Sequence, residues 1–178
     1  MNATCTTKMC GERRRATETA GAAGYVRQTA PERFSFPQGL PGFADCREFV
    51  MAPSNSPGLF WLRSTDAASL VFLLADPFAF FDGYSVDLCA ADVAMIGADA
   101  ACLTILAIVT LPGEGEEDCT VNLKAPLLFD LRLRRGCQLV LAGPDQCLRT
   151  PLPMDALQQH GTTAPVRISP DQTAGNCA

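Results

Sequence analysis

Short apolar runs, separated by glycine, proline and polar clusters, recur along the middle of the chain and predict strands more often than helices. The predicted strands are 24–28, 33–36, 48–51, 59–63, 70–74, 103–110, 127–134 and 137–142. A short polar segment joins the fourth run to the fifth, which indicates a hairpin. The pattern therefore predicts an antiparallel meander.

The two longest runs differ in polarity. The run 103–110 is apolar and rich in β-branched residues, which is typical of a strand covered on both faces. The run 127–134 alternates, with apolar residues at its odd-numbered positions and mostly charged residues at the even ones, and this predicts a half-exposed antiparallel strand. Arg135 and Gly136 are predicted to form the turn that follows it.

One short helix is predicted over 90–96, because Val93 and Ile96 lie three positions apart and Gly97 is a suitable stop. Cys89 before it is a poor N-cap residue. Together the elements predict a mainly β, single-domain protein, folded as a closed or partly open antiparallel β-barrel with one or two short helices.

A compact loop lies between the second and third predicted strands. It consists of Phe36, Pro37, Gln38, Gly39, Leu40, Pro41, Gly42 and Phe43. The prolines fix φ, the glycines permit positive φ, and the two phenylalanines are predicted to anchor the loop in the core. The loop is either a rigid corner between strands or a recognition loop that contacts a partner through Gln38 or Leu40.

Length, composition and charge narrow the class of protein. The 178 residues are 48% hydrophobic and 19% charged, which suits one globular domain. Because both ends are polar and aperiodic, we predict a disordered arm at 1–22, a barrel at 23–155 and a flexible tail at 156–178. The net charge of −5 argues against direct nucleic-acid binding and favours a basic protein partner. Without a signal peptide or membrane span, the sequence predicts a cytoplasmic protein that does not bind membranes.

The chain has nine cysteines, an odd number that cannot pair completely. Four of them lie in apolar stretches and are interpreted as core residues: Cys46, Cys89, Cys102 and Cys137. Cys5 and Cys10 have no second pair at zinc-site spacing, and His160 is the only histidine. We predict no metal and no cofactor, and a cysteine-based metal-binding or redox module is the alternative to a protein-binding function.

Candidate catalytic residues are few. The only histidine lies in the predicted tail, so the sequence offers a poor candidate for the general base of Ser–His or Cys–His catalysis. Asp45 and Glu48 form a carboxylate pair in a polar loop, where solvated charge is the simpler interpretation. We predict no enzyme activity, and a small hydrolase built around this pair is a third hypothesis.

The features that favour recognition follow the fifth and sixth predicted strands. Four aromatic residues lie within seven positions: Phe78, Phe80, Phe81 and Tyr84. In strand geometry Phe78 and Phe80 would share one face, and the rings serve either as core or as a surface anchor for a partner. Asn122 and Leu123 lie just before a proline, and Asn122 either bonds backbone or presents its amide to a partner. Glu116 and Glu117 belong to an acidic loop that could meet a basic partner.

Several of these segments occur in an order and spacing that resembles the FliW family of bacterial flagellar assembly factors. The segments are FPQGLPGF, DPFAFFDGY, the LAIVT strand, TVNLKAP and RTPL, and they cover about residues 24–153. The resemblance implies a small, non-enzymatic β-barrel that binds the translational repressor CsrA, relieves its repression of flagellin synthesis by an allosteric mechanism, and alternately binds flagellin. The chain departs from the family pattern in its predicted helix, where Asp92 is the only charge, and at Thr150, where the family often has histidine.

Overall fold

The computed structural model describes residues 14–16, 30–96, 103–114, 118–141 and 147–153. The strands in these ranges are β1 (Arg14–Ala16), β2 (Glu32–Ser35), β3 (Glu48–Pro53), β4 (Leu59–Ser64), β5 (Val71–Ala75), β6 (Val86–Leu88), β7 (Leu103–Thr110), β8 (Thr120–Val121), β9 (Leu127–Asp130), β10 (Arg135–Gln138) and β11 (Thr150–Pro151). The helices are α1 (Pro77–Phe80) and α2 (Ala90–Ile96). The predicted strand at 24–28 lies outside the described residues.

Seven strands close into a barrel in the order β7-β5-β4-β3-β2-β10-β9 and back to β7. The ring closes because β7 pairs with β5 along one edge and with β9 along the other, where Thr104 lies opposite Phe129. Neighbours in the ring are antiparallel except β2 and β10, which run parallel at Ser35 and Arg135. Strands β8 and β11 extend the sheet outside the ring. The prediction of a mainly β barrel with one or two short helices is confirmed, and the structure adds the parallel pair.

Strand β7 is apolar on both faces because both faces are covered by other side chains. Leu106 and Ile108 belong to the cluster that fills the barrel. Ile105, Ala107 and Val109 belong to clusters on the outer face of the sheet. Because the side chains of a strand alternate between faces, both sets are covered at once. The predicted boundaries and the predicted two-sided burial of this strand are confirmed.

The barrel interior holds a cluster of buried apolar side chains. Its members are Phe34, Phe36, Leu40, Phe49, Met51, Phe60, Leu62, Leu74, Leu106, Leu127 and Phe129. The ring centroid of Phe36 lies 5.0 Å from that of Phe49 and 5.6 Å from that of Phe129, and both contacts are edge to face. Aromatic pairs in this geometry each contribute about 0.5–1.5 kcal/mol beyond the area they bury. The Phe36 side chain, at the start of the loop, therefore packs inside the barrel.

Two further clusters cover the outer face of the sheet. The first joins β4, β5, β7 and β8 to the aromatic segment that follows β5. The second packs β6 and α2 against β7 and β9. Helix α2 has the predicted bounds, and Asp92 compensates for its poor N-cap, since its Oδ2 accepts the Cys89 N–H at 2.9 Å.

The predicted half-exposed strand over 127–134 is wrong. Strand β9 ends at Asp130, all four of its residues are buried, and the next four positions form the turn, so that Gly136 lies inside β10. The Oδ1 atom of Asp130 accepts the N–H groups of Arg132 at 2.8 Å and of Leu133 at 2.7 Å. A carboxylate that bonds the amides two and three positions ahead builds a turn, and this local bond overrides the alternating pattern.

The loop over 36–43 is built from tight turns, and the Phe43 N–H donates to the Leu40 carbonyl at 2.7 Å. Phe36 and Leu40 are buried, which confirms the anchoring role of Phe36 and removes Leu40 as a contact for a partner. The prediction that Phe43 is a core anchor is wrong, because this ring is 41% exposed. It packs edge to face on Phe72, with 5.6 Å between the ring centroids.

Part of the arm predicted to be disordered is a strand. Arg14–Ala16 form β1 and pair antiparallel with β6, so the prediction is wrong for these three residues. Positions 17–29 and 154–178 lie outside the described residues, and the predicted domain limits stay predictions. In the described part of the chain, neither helix has the length and apolar character needed to cross a membrane.

Candidate protein-binding surface

The aromatic residues after β5 sit on a helical turn rather than on a strand. Asp76 caps α1, since its Oδ1 accepts the Phe78 N–H at 3.0 Å, and Pro77 takes the first helical position. The Phe81 N–H closes the turn on the Pro77 carbonyl at 3.0 Å. The prediction that Phe78 and Phe80 share a strand face is therefore wrong, because the proline that ends β5 also starts a helix.

Phe78, Phe80, Phe81 and Tyr84, here called the aromatic surface, are all half-buried. Phe80, Phe81 and Tyr84 pack on the outer cluster of β4, β5, β7 and β8. Phe78 meets Tyr84 edge to face, with 5.4 Å between ring centroids. Each ring therefore supports the core with one part and leaves another part open to solvent. Rings held in this way are pre-ordered, so little side-chain entropy is lost when they are covered.

Gly58, in the turn between β3 and β4, lies against the Phe80 ring of the aromatic surface. Its φ is +76°, and a Cβ at this position would lie 3.1 Å from Cε2 of Phe80. The Gly58 carbonyl accepts the Asp76 N–H at 2.8 Å. The turn at Gly58 therefore positions the start of α1 through its hydrogen bond with Asp76. It also limits how closely the Phe80 ring can pack on the sheet.

Tyr84 joins the aromatic surface to the segment that follows β8. Its Oη donates to the Leu123 carbonyl at 3.2 Å. Burial raises the pKa of the Tyr84 phenol, so the group stays protonated and remains a donor at neutral pH. The Leu123 side chain is buried, and this residue contributes its carbonyl rather than an exposed apolar contact.

Asn122 holds the backbone of the same segment. Its Oδ1 accepts the Ala125 N–H at 3.0 Å, and its own N–H donates to the Ile108 carbonyl at 2.9 Å. These bonds hold the backbone just before Pro126, a residue that has no N–H to donate. Backbone bonding, the first of the two predicted roles, is in place, and contact of Asn122 with a partner stays a prediction.

The loop that carries Gln38 and Phe43 lies away from the aromatic surface. Phe43 contacts Phe72 near the start of β5, whereas Asp76 and the aromatic surface follow its end, about 13 Å away along the strand. Gln38 is exposed, but it belongs to the loop that carries Phe43. Glu116 and Glu117 lie outside the described residues.

Trp61 is a half-buried residue of this surface region that the sequence analysis did not single out. It packs against the same outer cluster as Phe80 and Phe81. Phe60 and Leu62, its neighbours in β4, both point into the barrel. The alternation of a strand gives Trp61 the opposite direction, so its outward position could have been inferred from β4 alone.

Acidic residues lie beside the aromatic surface. Asp82 and Asp87 are exposed, and Asp76 is half-buried under α1. Desolvation raises the pKa of Asp76, while the hydrogen bonds from α1 oppose that shift. An apolar patch with an acidic border complements a partner that presents apolar and basic side chains together.

The described residues offer little for other chemistry. Their cysteines are present as thiols, and only Cys147 is exposed. Burial, with a smaller effect of the Asp92 carboxylate, raises the pKa of Cys137 to about 11, which disfavours the reactive thiolate. Among the residues that the structure describes, no three His, Cys, Asp or Glu side chains converge as metal ligands. Asp45 and Glu48 are exposed.

The fold defines a small, mainly β barrel protein, and its aromatic surface is a candidate site for another protein. A family model described as "FliW protein" matches residues 17–152. The chain is 37% identical over 122 residues to the flagellar assembly factor FliW of Moorella thermoacetica, covering 67% of this chain and 77% of that protein. It is 32% identical over 131 residues to the same factor of Natranaerobius thermophilus, covering 72% and 87%.

A solved structure agrees with the sequence relatives. The crystal structure of a flagellar assembly factor FliW is similar with a TM-score of 0.60 and 26% identity, covering 67% of this chain and 84% of that one. The chain belongs to the FliW family of flagellar assembly factors. Because this family is non-enzymatic, the prediction of no enzyme activity is confirmed and the hydrolase hypothesis is withdrawn.

Proposed function

We propose that this protein binds the translational repressor CsrA, relieves its repression of flagellin translation, and alternately binds flagellin. The observation that carries the proposal is the aromatic surface: four half-buried rings that pack on the outer clusters of the sheet in a member of the FliW family. Aromatic anchors set in partly buried pockets are typical of residues that dominate the binding energy of an interface.

Charge supports CsrA as one of the partners. An RNA-binding protein needs clustered Lys and Arg to neutralise phosphates. This chain carries a net charge of −5, and the exposed Asp82 directly follows the half-buried Phe81 in the sequence. Complementary charge accelerates association and selects the partner. The same negative charge disfavours direct contact of this protein with RNA, so the protein would act on CsrA and not on the RNA itself.

Alternation between the partners follows if their sites overlap. Flagellin that accumulates in the cytoplasm, where we place this protein, would occupy it and leave CsrA active. Export of flagellin would release the protein to bind CsrA. With two ligands that exclude each other, the apparent affinity for one falls as the concentration of the other rises. No cofactor or membrane takes part.

The test is titration calorimetry with purified CsrA and with flagellin, using wild type, Phe80→Ala and Phe81→Ala. We expect each substitution to weaken binding to at least one partner by about tenfold or more, since each removes part of an aromatic anchor. Phe43→Ala is the matched control, because this ring is 41% exposed yet lies at the other end of β5. Circular dichroism confirms that each variant is folded.

A gel-shift assay tests the antagonism. Added protein should reduce binding of a flagellin leader RNA by CsrA, and excess flagellin should restore it. Failure of the wild-type protein to bind either partner at micromolar concentration would overturn the proposed function. Full binding by folded Phe80→Ala and Phe81→Ala would overturn the site while leaving the function in place.

A further inference from the structure

Strand β6 packs on the barrel through its side chains. Val86 and Leu88 are buried in the outer cluster between β6, α2, β7 and β9. Asp87 between them is exposed. Among the described residues, β6 pairs only with β1, and the two form a sheet separate from the barrel. The β6 edge that carries β1 is therefore an edge at which another strand can pair in place of β1.

The strand on this edge comes from the N-terminal arm. The antiparallel register places Arg14 opposite Leu88, Arg15 opposite Asp87 and Ala16 opposite Val86. An arginine position thus faces an aspartate position, and opposite charges at directly paired positions stabilise antiparallel strands. Strand β6 lies within the part of the chain that matches the family, whereas β1 lies just before it. The edge thus belongs to the part of the chain that matches the family model, and the strand that occupies it lies before that match begins.

Two features make this pairing replaceable. Strand β1 has three residues, and so short a two-stranded ribbon is marginally stable by itself. The residues that anchor β6 share their cluster with Phe78 and Tyr84, so β6 and the aromatic surface pack on the same part of the core. A partner segment that adds a strand to β6 can therefore gain backbone hydrogen bonds and contact with the rings together.

We propose that the β6 edge is a strand-addition site for an extended segment of a partner protein with a basic residue opposite Asp87, and that Arg14–Ala16 occupies it in cis. The arm acts as a built-in competitor, and binding of the partner segment displaces it. Strand addition at β6 is a separate interaction from the proposed binding of CsrA and flagellin, and it can be tested without either protein.

The probe is a fluorescent peptide that copies residues 11–19 of this chain, measured by anisotropy with the full-length protein. Arg15→Pro detaches the arm, because proline at the centre of β1 removes a donor and disrupts pairing. We expect this variant to bind the peptide about tenfold or more tightly than wild type, since a tethered competitor acts at a high effective concentration. Lys8→Pro, in the same arm but outside β1, should behave as wild type.

Two further measurements make the test specific. Hydrogen exchange at the amides of Val86–Leu88 should accelerate in Arg15→Pro and slow again when the peptide is added. The double variant Arg15→Pro/Asp87→Lys should bind the wild-type peptide more weakly, because Arg15 of the peptide then pairs with a lysine. The same variant should bind a peptide that carries Arg15→Glu more tightly. Ala16→Pro is a second way to detach the arm if Arg15→Pro does not fold.

Three outcomes would overturn the proposal. Equal peptide binding by wild type and Arg15→Pro means that the arm does not compete. No binding by either arm variant means that the edge does not accept a strand. A wild-type dimer that dissociates on substitution of Arg15 means that the edge pairs with the arm of a second copy.

Discussion

The ring of Phe36 lies directly against the backbone of Gly136, so closely that a Cβ at position 136 would stand 2.4 Å from Phe36 Cζ. Phe36 follows β2, Gly136 belongs to β10, and these are the two parallel neighbours in the ring, which meet at Ser35 and Arg135. Parallel pairing is limited here to this one register position. The buried ring thus packs across the junction with the least backbone pairing, and the missing side chain of glycine makes room for it.

Gly136→Ala should therefore destabilise the protein. The added methyl group would overlap the Phe36 ring, and overpacking of a well-filled core costs about 1–3 kcal/mol in the free energy of unfolding. Urea unfolding followed by circular dichroism measures the loss. A midpoint equal to that of wild type would mean that the ring moves aside without cost.

Phe36→Leu provides the matched test of the same contact. Alone it should destabilise the protein by removing buried aromatic contacts. Combined with Gly136→Ala it should cost less than the sum of the single substitutions, because the smaller side chain leaves room for the methyl group. Additive losses would show that the two positions do not interact.

Strand β7 and helix α2 were predicted with the observed bounds, because each is a local pattern that tertiary contacts reinforce. Leu103–Thr110 is apolar on both faces and covered on both. The end of β9 was not predicted, since the bond from Asp130 to Leu133 N–H competes with the alternation of the strand. An aspartate at that point is a turn signal, and it indicates that the strand ends there.

The sequence predicted which residues belong to the candidate site but not how they are placed relative to one another. The density of aromatic residues identified the segment, while its helical turn depends on the Asp76 cap and on Pro77. The contact between Tyr84 and the Leu123 carbonyl joins positions 39 apart in sequence, which no local pattern contains. The pairing of β1 with β6 was missed for the same reason, because Arg14–Ala16 have no apolar pattern of their own.

Gly39→Ala and Gly42→Ala should differ in cost although both glycines have positive φ, +65° and +86°. A Cβ at Gly42 would meet nothing within 4 Å, so its substitution carries only the backbone penalty of about 1–2 kcal/mol. A Cβ at Gly39 would lie 2.7 Å from the Ala44 backbone, which cannot move aside as a side chain can. We expect a loss of about 3 kcal/mol or more for Gly39→Ala. Equal unfolding midpoints would contradict this view of the loop.

Asn122→Ala and Asn122→Asp separate the structural role of this residue from recognition. Alanine removes the acceptor for the Ala125 N–H and should destabilise the protein by about 1 kcal/mol, whereas aspartate keeps an acceptor oxygen and should unfold near the wild-type midpoint. Urea unfolding measures both variants. If partner binding falls in Asn122→Asp while its stability is unchanged, the side-chain amide nitrogen of Asn122 is part of the interface.

The Asp66 carboxylate should make stability depend on acid pH. Its Oδ2 accepts the N–H groups of Arg47 at 2.6 Å and Glu48 at 2.9 Å, and the bonds from Glu48 and then Arg47 hold its pKa below the ordinary value of 3.8. A carboxyl group whose pKa is lowered by folding stabilises the protein fully above 3.8, and this contribution is lost as the pH falls from there through the folded pKa. Asp66→Asn keeps an acceptor but does not titrate, so its thermal midpoint should fall less than that of wild type across this window. Parallel falls in the two proteins would mean that other carboxylates control acid unfolding.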